Sequence, residues 1–176
     1  KIKSYDNTLV DIRRANMVIL EPRTELWSID NVDKFRLFAH IFDIASGQGS
    51  VETLIQWKQL DLDLDYTIEA LDLASYHGHL DVLDWWKNSG LELKYSDYAL
   101  DTASQHGHIG VLNWWKNSGL ELKYSTETLD RSGSWDYIDV LNWWKQSGLE
   151  LKYTSDAIDR ASYEGQTDVL EWWKQS

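Results

Sequence analysis

The 176-residue chain has no cysteine, one proline, one methionine and three phenylalanines, and its 17 lysines and arginines are outnumbered by 29 aspartates and glutamates. Each scarcity removes a class of answers. Without cysteine there is no disulfide, no thiolate nucleophile and no cysteine-ligated metal; a reducing compartment is permitted, and an intracellular location, cytoplasmic or nuclear, is the expectation. A formal net charge of −12 repels phosphate backbones and anionic headgroups. Neither nucleic acid nor a membrane surface is therefore an expected partner, and a protein with a basic or polar surface is. No apolar run approaches the roughly 20 residues of a membrane span, and no signal-peptide core follows Lys1. There is no nucleophile elbow and no phosphate-cradling glycine loop, and the carboxylates recur as equivalent sites instead of two unequal environments suited to acid and base work. No enzyme activity and no cofactor are expected.

What the chain does contain is repetition. Trp57, Trp86, Trp115, Trp144 and Trp173 stand 29 residues apart, as do Asp43, Asp72, Asp101, Asp130 and Asp159, with no gap required. Leu54, Leu83, Leu112, Leu141 and Leu170 form a third column, and Ala45, Ala74, Ala103, Ser132 and Ala161 a fourth. A fixed period of this size marks one supersecondary unit stacked on copies of itself. The expected layout is an N-terminal capping segment over residues 1–33, then five copies at approximately 34–62, 63–91, 92–120, 121–149 and 150–176. Ile12, Ala15, Val18 and Ile19 carry the helical spacing suited to the cap, and Pro22 ends that helix. The last copy stops at Glu-Trp-Trp-Lys-Gln-Ser, before the Gly-Leu-Glu-Leu-Lys of the complete copies, which reads as a truncation.

Each copy reads as two helices and an extended connector, an all-α class of about five helix pairs. The first helix, about 67–77, opens at a capping hydroxyl (Thr67, Ser96, Ser125, Thr154) and closes at Gly78, Gly107 or Gly165 in a left-handed position, where copy four carries Asp136. The second, about 79–89, gathers Leu80, Val82, Leu83 and Trp86 on one apolar face. Leu91, Leu93 and Tyr95 then alternate with Glu92 and Lys94, as in an extended segment.

The run Ala-Leu-Asp-Leu-Ala-Ser-Tyr-His-Gly-His-Leu-Asp-Val-Leu-Asp-Trp-Trp-Lys-Asn-Ser-Gly from Ala70 resembles the ankyrin repeat, with Leu71–Ser75 on its opening signature and Gly78, His79, Val82, Leu83 and Gly90 on later positions. The resemblance spans roughly 34–176 and implies an ankyrin-like helical-repeat solenoid acting as a non-enzymatic scaffold. Its departures are consistent: Ala70 for proline, Asp72 for histidine, paired tryptophans for aliphatics, and 29 residues instead of about 33. The missing residues argue against a projecting β-hairpin finger.

In such repeats the first helices line the concave groove where partners dock. The face carrying positions 69, 72 and 76 is rich in carboxylates, so an acidic groove is the expected interaction site. Glu69, Tyr76, His77, Tyr98, Gln105, His106, Glu127, Ser134, Trp135, Asp156, Tyr163 and Glu164, which vary from copy to copy, are the candidate partner-binding residues. For the aspartate column the preferred reading is structural: each carboxylate accepts backbone N–H groups of an adjacent connector. The second tryptophan of each pair belongs to the core. The first (Trp85, Trp114, Trp143, Trp172) either packs between copies, the favoured reading, or forms an outer row for a glycan or small ligand. His77, His79, His106 and His108 lack a carboxylate or thiolate to complete a metal shell, so no metal is expected.

Overall fold

The alanine and serine columns make one flank of each first helix small enough for its neighbour to approach closely, and the tryptophans make each second helix bulky. A computed structural model, describing residues 40–59, 66–132 and 137–176, arranges the copies accordingly. Five helix pairs follow one another: α1 Ile41–Gly47 with α2 Val51–Gln59, α3 Glu69–Tyr76 with α4 Leu80–Asn88, α5 Tyr98–Gln105 with α6 Ile109–Ser118, α7 Glu127–Asp130 with α8 Ile138–Ser147, and α9 Asp156–Tyr163 with α10 Thr167–Lys174. First helices stack on first helices and second on second. No strand occurs among the described residues. The candidates Ser134 and Trp135, the left-handed position assigned to Asp136, and the segment 1–33 read as a cap all lie outside the described residues.

The core runs continuously through the stack. Ala74, Leu71, Val82, Leu83 and Trp86 of copy two are fully buried, as are Ala103, Leu100, Leu112 and Trp115 of copy three. Leu80 departs from the expected apolar face: it is 39% exposed, although its terminal methyl lies close to Gly110 of the next copy. A Cβ at Gly110 would lie 3.1 Å from that methyl.

The helix ends follow the sequence signals. Thr67 Oγ1 accepts the Glu69 N–H at 3.1 Å, and Ser96, Ser125 and Thr154 do the same for Tyr98, Glu127 and Asp156. Each hydroxyl thus satisfies one donor that a helix start leaves unpaired. At the other end Gly78 has φ +76°, and a Cβ there would stand 3.0 Å from the His108 ring, so both conformation and crowding require glycine.

The connectors are tied by side chains in place of a strand ladder. Tyr66, Tyr95 and Tyr124 donate their hydroxyls to the carbonyls of Glu92, Glu121 and Glu150 in the next connector. In return Lys94, Lys123 and Lys152 reach back to the carbonyls of Tyr66, Tyr95 and Tyr124. Burial, aided by nearby Glu121, pushes the Tyr95 phenol above its ordinary range, which keeps its donor proton in place.

Candidate functional site

Repeat stacking first decides which polar side chains remain available. Asp43, Asp72 and Asp130 are almost fully buried, and Asp101 is 9% exposed. Each accepts the backbone N–H and the hydroxyl of the capping residue 24 positions on: Thr67, Ser96, Ser125 and Thr154. The aspartate column is therefore a set of clasps between copies, as the structural reading expected. For Asp72, burial raises the carboxyl above its usual range, and the Ser96 hydrogen bonds oppose that rise. A second clasp joins three of the inner tryptophans to serines 40 residues earlier: the indole N–H groups of Trp86, Trp115 and Trp144 donate to Ser46, Ser75 and Ser104 at 2.8, 3.0 and 2.9 Å. The serine column was not singled out from sequence, although hydroxyls recurring inside an otherwise apolar stretch were the available signal.

The first tryptophans take the packing role. Trp114, Trp143 and Trp172 are half-buried against the core and donate their indole N–H groups to Asp84, Asn113 and Asn142 of the preceding copy. Lys87, Lys116 and Lys145 lie over the same rings at 5.9, 5.9 and 5.5 Å.

Fewer carboxylates than the sequence implied are left on the first-helix face. Four aspartates are consumed in the junctions. Glu127 pairs with Arg131, and Asp156 lies 3.6 Å from Arg160, both one helical turn away. The i, i+4 spacing of these arginines is legible in the sequence. Glu69 and Asp159 are exposed.

The structure brings four of the candidate residues together. Tyr76 sits at the centre, 4.6 Å from His77, 4.4 Å from His106 and 6.5 Å from Tyr98 between ring centroids. The Tyr76 and Tyr98 planes differ by only 7°. Tyr98 is 49% exposed and His77 is exposed, while Tyr76, His106 and the adjacent Gln105 are half-buried. Glu69 stands at the register position of Tyr98 one copy earlier, and Glu127 at the same position one copy later. Asp156, Tyr163 and Glu164 are exposed on copy five, separated from this ring cluster by copy four.

Beside the rings, His79 and His108 complete a group of four imidazoles. His108 Nε2 lies 3.0 Å from the Tyr76 carbonyl, 32 residues back. No three acidic or histidine side chains among the described residues form a metal-binding group. Burial, then the neighbouring His79 and His106, holds the His77 imidazole below its ordinary value of 6.5; burial does the same at His108 against the favourable Tyr76 carbonyl. Because both folded values lie below the unfolded one, the unfolded chain binds more protons as pH falls through 6.5, and stability is lost on acidification. His77 is exposed and screened, so His108 carries more of the effect. Replacing His108 with Gln, the residue at this position in copy five, is expected to flatten the dependence of the urea midpoint on pH between about 7 and 5. An unchanged slope would place the titration elsewhere.

Comparison with known proteins agrees with this geometry. Residues 71–114, covering most of α3, all of α4 and α5, and the first six residues of α6, match the family model for ankyrin repeats (many copies). No curated protein matches the chain.

Proposed function

Taking this segment as ankyrin repeats and the stack as built on their plan, we propose that the protein is a non-enzymatic scaffold that binds a partner protein, or a segment of one, on the face of its first helices. Ankyrin repeats generally mediate protein–protein interaction, which is the coarse function. The observation that carries the finer reading is the partition of variable and invariant positions. Four of the five column aspartates, the inner tryptophans and the connector lysines Lys94, Lys123 and Lys152 are engaged in stacking. The variable positions 69, 76, 77, 98, 105 and 106 remain wholly or partly accessible on adjoining helices.

The partner surface is basic or polar. The net charge of −12 supports that reading through long-range attraction, which raises association rates more than it deepens affinity. The local field on the first helices is weaker than eight free carboxylates would give, since Arg131 and Arg160 offset two of them and the junctions hold four. Ligand stacking on Trp85, Trp114 and Trp143 has less support, because these rings are half-buried and the N–H groups of the latter two are already donated.

Photo-crosslinking separates the two faces. Benzoylphenylalanine at Glu69, Gln105 or Asp156 is expected to capture a partner from the source cell, while the same group at Asp84, Asn117 or Asp139 on the second helices is not. Capture from the second-helix positions alone would overturn the proposal.

A further inference from the structure

Resting on the reading that a partner docks on the first helices, we infer that Tyr76 and Tyr98 form a seat for an arginine side chain of that partner. The chain itself shows how its phenol faces are covered elsewhere. Lys94, Lys123 and Lys152 lie 4.4, 4.4 and 4.2 Å from the ring centroids of Tyr66, Tyr95 and Tyr124. Among the described residues no lysine or arginine covers Tyr76 or Tyr98, and neither α3 (EALDLASY) nor α5 (YALDTASQ) contains one. Those helices instead bear exposed carboxylate at Glu69, with exposed Asp97 next to Tyr98.

The ring geometry favours a flat cation. The Tyr76 and Tyr98 planes lie within 7° of each other with centroids 6.5 Å apart, so both rings offer a face in the same orientation and a planar group can align with both at once. A guanidinium is planar and weakly hydrated, so it can lie on such a face while its edge donates to a carboxylate such as Glu69. An ammonium is a compact, strongly hydrated point charge and uses only one ring at a time. Copies four and five differ where it matters. Glu127 and Asp156 replace the tyrosine at position 98, and each already has its own arginine. The seat therefore belongs to the junction of copies two and three.

The test is an NMR titration of the full chain with Nα-acetyl-arginine N-methylamide, using the citrulline derivative as the uncharged isostere. The ring protons of Tyr76 and Tyr98 are expected to shift with the arginine compound and not with citrulline. Tyr98→Leu should remove the Tyr76 response, Tyr98→Phe should retain it, and Glu69→Gln should weaken it about two- to three-fold. Equal responses to citrulline, or arginine-induced shifts at Tyr76 that survive Tyr98→Leu, would overturn the inference, as would no shift at either ring. A partner that crosslinks to the first helices but binds Tyr98→Leu at full strength would overturn this inference alone, leaving the docking face intact.

Discussion

Alanine at Trp115 is expected to lower the free energy of unfolding by about 3 to 5 kcal/mol. The indole is fully buried, its ring packs 4.7 Å from Tyr95 and 5.1 Å from Trp114, and its N–H is bound to Ser75. Truncation removes all of this contact and leaves the Ser75 hydroxyl without its donor. A paired substitution separates packing from hydrogen bonding. Trp173, the equivalent residue of copy five, has a buried indole nitrogen with no partner among the described residues. The residue 40 positions before it is Gly133, which has no hydroxyl to offer. Trp144→Phe forfeits a hydrogen bond that is made, while Trp173→Phe removes a donor that goes unsatisfied. The first is expected to cost about 1 to 2 kcal/mol more than the second in urea denaturation followed by far-ultraviolet circular dichroism. Equal costs would mean that the indole–serine bond contributes nothing net.

Asp101→Asn is the second large effect, expected at about 2 to 3 kcal/mol. The Asp101 carboxylate accepts the Ser125 N–H at 2.9 Å, the Ser125 hydroxyl and the Thr128 hydroxyl. Asparagine keeps the shape but replaces one acceptor oxygen with a donor group and removes the charge that strengthens each bond. Asp159 is the control, since it occupies the same column yet is exposed. Asp159→Asn should change stability by less than about 0.5 kcal/mol. If the two variants melt alike, the clasp is ornamental. Partner affinity, measured on folded protein, should respond less to Asp101→Asn than stability does, because this side chain faces the junction.

The columns themselves were legible because a stacked fold repeats its environments at the sequence period. Thr67 as a helix start, Gly78 as a helix end and Trp86 as core all followed from local chemistry. What a column cannot disclose is which other column it meets. Nothing in the chain's order announces that Asp72 clasps Ser96 while Trp115 clasps Ser75, since both pairings depend on the offset between neighbouring helices. The charge of the first-helix face is lower than its carboxylates suggest for the same reason: four of them meet partners in the next copy, while Glu127 and Asp156 pair with arginines on their own helices. The Tyr76–Tyr98 pair was visible only as two variable positions, because its near-parallel approach crosses a junction.

The interchangeability of the clasps bears on the genetics of the chain. Excising residues 92–120 in frame would bring Asp72 opposite Ser125 and Ser75 opposite Trp144, the same chemical pairs at the same offsets. Loss of a whole copy such as this one would thus leave its neighbours with the same pairs to close across the new junction. Length is then a trait that selection can adjust in whole copies. The ring cluster draws Tyr76 and His77 from copy two and Tyr98 and His106 from copy three, so loss of either copy would break it.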